Sequence, residues 1–133
     1  MTRRLSALGA AFLLAAGATI ADEVINSSGS VCAAAAKTSF AEDVMPIFVG
    51  RCFSCHQPNG QGNETTGLDL SSYEMKGSKS GKMVIPGDPD SGNLMSRLDW
   101  RGAPETHMPP RKKLSTCDRD AIRAWIREGA KNN

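Results

Sequence analysis

Apolar residues recur at helical spacing in three stretches of the chain. In the first, Phe40, Val44, Ile47 and Phe48 fall on one face. Ser39-Phe40-Ala41-Glu42 ahead of that face has the order of a capping box, and Pro46 inside it predicts a kink or a restart. In the second, Leu94, Met95 and Leu98 predict an inward face on a helix opened by Asp90 or Ser91. In the third, Ile122, Trp125 and Ile126 make the apolar side of a last helix, with Ser115 as N-cap, Asp118 in its first turn and Gly129 as its stop. These stripes read as core, Trp125 included.

The intervening segments are shorter and more polar. Pro58, Asn59, Gly60, Gly62 and Asn63 predict a loop over residues 57–66. Gly67-Leu68-Asp69-Leu70 reads as an extended piece with both leucines on one side. A short helix is expected over 71–76 and a flexible link over 77–81. Met83-Val84-Ile85 forms a small apolar patch, and Pro86-Gly87-Asp88-Pro89 a turn. Long strand-like alternation is absent.

The N-terminus has a different character. Arg3 and Arg4 precede an apolar run over 5–16, too short to span a bilayer, and small residues follow at Ala18 and Ala21. The expectation is a signal peptide over 1–21, cleaved after Ala21, with Ala18 as the alternative site. Residues 22–38 then read as an arm carrying the Ala33–Ala36 run, and residues 39–133 as a single domain. A retained anchor is the lesser reading, and no transmembrane span remains after cleavage.

Charge excludes one class of partner. Removing Arg3 and Arg4 from the 16 basic residues leaves 14 against 14 acidic ones, so the mature chain is near neutral and carries no electrostatic case for nucleic acid. Only 5% of the residues are aromatic and 13 are glycine. A chain this small buries only about two-thirds of its unfolded surface. Its core therefore needs another centre.

Cys52-Phe53-Ser54-Cys55-His56 supplies one. Two cysteines three apart with histidine directly after the second make the signature of covalent c-type haem attachment. On one helical turn Cys52 and Cys55 share a face, as two thioethers to one porphyrin require, and His56 projects from the same face as the proximal iron ligand. A thioredoxin-like pair would need a surrounding βαβ pattern, and a zinc site a second ligand pair; the sequence has neither. A backbone carbonyl near Pro58 is the expected acceptor for the His56 Nδ1 proton.

The other axial position has several candidates: Met45, Met75, Met83, Met95, His107 and Met108. Met45 and Met95 lie on core faces, and Met75 and Met83 flank the flexible link. Met108 is favoured, because its loop follows the haem motif at a distance and Pro109-Pro110 stiffen it. His107 is the competitor and would give a haem of lower potential, since methionine raises it. Arg97, Tyr73 and Trp100 are candidate partners for the haem propionates.

Cys32 and Cys117 remain. In an exported chain they are expected to form a disulfide tying the arm to the last helix; two separate thiols are the alternative. Cys32 lies too far past the apolar run to serve as a lipid anchor.

The chain resembles class I c-type cytochromes, and most closely the small planctomycete-type cytochrome c domain. The likeness is carried by Val44-Met45-Pro46-Ile47-Phe48, Cys52–His56, Gly67-Leu68-Asp69-Leu70, Ile85-Pro86-Gly87-Asp88-Pro89, Met108-Pro109-Pro110 and Ala124-Trp125-Ile126 through Ala130. The resemblance implies an all-α, class I cytochrome c fold, with three to five helices around one covalent haem c. It further implies thioethers at Cys52 and Cys55, and His56 and Met108 on the iron. The chain departs from the family in carrying Cys32 and Cys117.

The function so implied is single-electron transfer between redox partner proteins in the periplasm, without catalysis of its own. The alternatives are a haem subunit of a periplasmic oxidoreductase complex, or a gas or redox sensor in which Met108 is displaced. Lys76, Lys79 and Lys82 form one basic cluster and Arg111, Lys112 and Lys113 another. Either could steer an acidic partner, or be plain solvated surface.

Overall fold

The computed structural model describes residues 24–25, 31–32, 37–75 and 82–133. The expected signal peptide, the Ala33–Ala36 run, the 77–81 link and the side chains of Lys76 and Lys79 lie outside the described residues.

A wide π-helical turn over Phe40–Val44 leads directly into α1, Met45–Arg51. Ser39 caps this start: its Oγ accepts from the Glu42 N–H at 3.2 Å. The side chain reaching back is Asp43, whose Oδ2 accepts from the Ser39 N–H at 2.7 Å. The box predicted Glu42 in that role. In the wider turn Val44 N–H bonds back five residues to the Ser39 carbonyl, so the reach falls to the residue one place later. Pro46 lacks the N–H a regular helix would use and crowds the carbonyl four residues before it. The broad turn makes that room, and the helix restarts at Met45.

Four further helices follow among the described residues: α2 (Phe53–His56), α3 (Gln61–Thr66), α4 (Asn93–Leu98) and α5 (Thr116–Arg127), with a 3-10 turn at Pro104–Thr106 before α5. The cap of α5 is as predicted, Ser115 Oγ accepting from Asp118 N–H at 3.0 Å, and Gly129 closes it with φ of +100°. After Leu70 two expectations fail. Residues 71–75 form turns rather than a helix, and α4 is opened by Gly92, because the Asp88 carboxylate folds back onto the Asp90 and Ser91 N–H groups in a turn of its own.

The α5 helix packs across the first turn. Trp125, 1% exposed, lies against Phe40 with ring centroids 5.2 Å apart, and Tyr73 meets Phe40 edge-on, also at 5.2 Å. Val44, Phe48, Met95, Ile122 and Ile126 complete the buried centre. The chain ends close the same corner: Asn133 accepts from the Phe40 and Ala41 N–H groups, and Glu128 from that of Thr38.

An ion-pair cluster holds α4 to α5. Asp99, just past α4, takes Arg119 at 2.9 Å and Arg123 in a closer contact, while Asp90 takes Arg123 at 3.0 Å and Arg101 at 3.2 Å. The partly buried half of this network, in which each Asp99 oxygen takes a different arginine, fixes where the chain leaves α4.

The arm adds a detail that the helical pattern did not predict. β1, Val24–Ile25, pairs antiparallel with β2, Val31–Cys32. Cys32 is joined to Cys117 in a disulfide that closes 85 residues of chain, so the expected bridge from arm to last helix is present. Among the described residues no helix is long and apolar enough to cross a membrane.

Candidate functional site

The haem motif sits at a break between helices. Cys52 leaves helical geometry, with φ of −123°, yet the ladder continues through it. Its N–H donates to the Phe48 carbonyl at 2.8 Å, and its own carbonyl accepts from Cys55 and His56 at 3.1 and 2.9 Å. Cys52, Cys55 and His56 therefore share one turn, as the spacing predicted. The His56 carbonyl then accepts from Leu70 N–H at 2.7 Å, which pins the Leu68–Leu70 piece alongside α2 with both leucines buried.

The segment predicted as a loop after the motif contains α3. Thr65 and Thr66 return their hydroxyls to the carbonyls of Gln61 and Gly62, and Gly67, at φ of +76°, ends the helix. Its glycines are there for space. A Cβ on Gly62 would stand 2.8 Å from His56 Cε1 and 3.0 Å from Nδ1; one on Gly60 would stand 2.5 Å from the Cys55 carbonyl oxygen. The α3 backbone thus lies directly against the imidazole edge, closer than any side chain would permit.

His56 is 8% exposed, and among the described buried side-chain polar atoms its Nδ1 alone has no hydrogen-bond partner. The expected acceptor near Pro58 is not used. Burial holds the imidazole pKa below its usual value, and the charge of Arg97 adds to this while the backbone of Leu68 opposes it. The ring is accordingly neutral at pH 7, the form that ligates metals. Burial likewise pushes the Cys52 thiol up to about 11, with Cys55 adding to the rise and Arg51 opposing it. Cys52 is a protonated thiol rather than a reactive thiolate, and neither it nor Cys55 is in a disulfide.

These groups face a cleft of about 710 Å³, including its open mouth. That is within the range for an organic cofactor. Its walls are Leu68, Leu70, Met83, Leu94 and Leu98, with Cys52, Cys55 and His56 from α2 and Met108, Pro109 and Pro110 from the later loop. Two cations, Arg51 and Arg97, also line it.

The later loop is held from behind. Met108 N–H donates to the Arg97 carbonyl at 3.0 Å, and the Met108 carbonyl accepts from Trp100 Nε1 at 3.1 Å. His107 does not line the cleft: it stacks on Trp100, centroids 5.0 Å apart, with Nε2 3.3 Å from the Gly102 carbonyl. Of the methionines weighed for the iron, Met83 and Met108 reach the cleft, whereas Met45, Met75 and Met95 do not line it. Of the propionate candidates only Arg97 faces it. The Tyr73 hydroxyl donates to the Ala130 carbonyl at 2.6 Å, and the Trp100 N–H serves Met108. Sequence reasoning missed Arg51, although its place directly before Cys52 was a signal.

Residues 52–112 match the family model described as Planctomycete cytochrome C. They are a planctomycete-type cytochrome c domain. The match runs from the first cysteine of the motif to just past the Met-Pro-Pro loop, so it spans every segment that lines the cleft except Arg51. No curated protein and no solved structure matches the chain. Membership implies haem c, and the residues of this cytochrome c domain fit that group. The cleft is apolar, two thiols stand free on one turn, a neutral imidazole lies beside them, and two arginines are available for anionic substituents.

Proposed function

We propose that the protein is an exported monohaem c-type cytochrome that passes single electrons between redox partners. The observation that carries this reading is the convergence of Cys52, Cys55, His56 and Met108 on one apolar cleft from segments far apart in sequence. In it, Cys52 and Cys55 Sγ would hold the porphyrin, and His56 Nε2 and Met108 Sδ would ligate the iron. When bound, the haem supplies a one-electron iron couple.

The chain's own residues do the rest. The leucines of the cleft exclude water and so favour the less charged, reduced state. α3, lying on the His56 edge, fixes the ring plane. Arg51 and Arg97 neutralise the propionates. Cys55 is exposed while Cys52 is half-buried, so a partner would approach from the Cys55 side. Arg111 and Lys112, exposed beside the Met-Pro-Pro loop, steer an acidic partner, an interaction that salt would weaken. The periplasm is supported by the signal-like residues 1–21 and by a disulfide suited to an oxidising compartment.

The sensor alternative, with Met108 displaced, draws on one observation: Met108 lies on a half-exposed loop. Carbon monoxide binding to the reduced protein separates the two. A carrier gives a single one-electron transition, and its reduced form does not bind carbon monoxide at neutral pH. Ready carbon monoxide binding would overturn the carrier reading.

A further inference from the structure

Trp100 occupies an unusual position. Its φ is +59°, a left-handed conformation that bulky residues seldom adopt and that persists where the surroundings fix it. The preceding residue, Asp99, is locked by Arg119 and Arg123. The indole is half-buried and lies outside the main core, in contrast to Trp125, which fills it. What the Trp100 ring touches is the distal loop: its face stacks on His107 at an interplanar angle of 9°, and its N–H reaches the Met108 carbonyl. The Arg97 carbonyl accepts from both Trp100 N–H, at 3.2 Å, and Met108 N–H, at 3.0 Å. Both peptide polar groups of Met108 are thereby tied to residues 97–100, and the chain between them is stapled by the ring stack.

We propose that Trp100 is a positioning residue for the distal ligand: its indole N–H holds the Met108 loop over the cleft and sets how readily an outside ligand displaces the thioether. This rests on the assignment of Met108 to the iron. A thioether is a weak ligand, so the balance between Met108 and a competitor is decided largely by the free energy of moving its loop. One neutral hydrogen bond changes such a balance by about fivefold.

The test uses the oxidised holoprotein with imidazole as the competitor, followed through the sulfur-to-iron charge-transfer band. Trp100→Phe keeps a ring for His107 and removes the N–H. It is expected to bind imidazole about fivefold more tightly than the wild type while retaining the band in its absence. In parallel, the wild-type protein is exposed to deuterated water with and without saturating imidazole, then reduced, and its two indole N–H signals are read by NMR. The Trp100 signal should exchange at least tenfold faster with imidazole. The Trp125 signal, bonded to the Lys131 carbonyl at 2.8 Å, should not change.

Unchanged imidazole affinity in Trp100→Phe, or a Trp100 N–H whose exchange ignores imidazole, overturns the proposal. Should Trp100→Phe fail to fold, the exchange experiment decides alone. A wild-type protein without the charge-transfer band would instead remove the Met108 assignment, and this proposal with it.

Discussion

Replacing Cys52 and Cys55 together with alanine is expected to yield a mature polypeptide that carries no covalent haem and does not hold its native fold. The two effects have one cause. The cleft between α2, the Leu68–Leu70 piece and α4 is lined largely by apolar side chains, and a close-packed interior leaves such a wall no stable unfilled state. Leu68, Leu70, Leu94 and Leu98 wall the cleft, and without the cofactor they lose their packing partner on that side. Large cavities left beside core side chains typically cost several kcal/mol. Domains of this size are stable by only about 5–15 kcal/mol. Circular dichroism should show helix content well below that of the wild type and a broad thermal transition. A double variant that melts cooperatively near the wild-type temperature would show that the core closes without the cofactor.

Met108→Ala is expected to abolish the sulfur-to-iron band, open the iron to carbon monoxide in the reduced protein and lower the reduction potential. Axial ligands span about 0.8 V across haem proteins, and loss of the thioether should account for on the order of 0.1–0.3 V of it. The controls come from the cleft itself. Met83 also reaches it but is buried in the core, its carbonyl taken by Leu94 N–H at 2.9 Å; Met83→Ala should keep the band. His107→Ala should keep it too, since that ring stacks on Trp100 away from the cleft. A band that survives in Met108→Ala but not in Met83→Ala would reassign the ligand.

Much of this was legible in the residues. The capped first helix with its restart just ahead of Pro46, the last helix from Ser115 to Gly129 and the shared turn of Cys52, Cys55 and His56 follow from local chemistry, where caps, ring sterics and side-chain period act over a few positions. The Cys32–Cys117 bridge followed from counting cysteines in a chain with an export-like start. What was not legible depended on tertiary contact. The segment at 61–66 reads as loop because glycine and asparagine are poor helix formers, yet α3 forms there, and Gly62 lets its backbone lie on the imidazole of His56. Asp88 reads as part of a plain turn, but its carboxylate takes the two N–H groups that a helix start at Asp90 would need. Trp100 and Tyr73 read as candidate propionate partners in sequence. Each has its donor engaged by a carbonyl, at Met108 and at Ala130 respectively, and only the folded chain brings those carbonyls into reach.

The most direct test of the central claim is the mass of one peptide. Trypsin cuts after Arg51 and next after Lys76, releasing residues 52–76 with both motif cysteines inside. From protein matured in a host able to attach haem c, that peptide should be heavier by one haem, absorb in the Soret region, and leave no thiol for an alkylating reagent. A peptide of unmodified mass with two alkylatable cysteines would contradict the account.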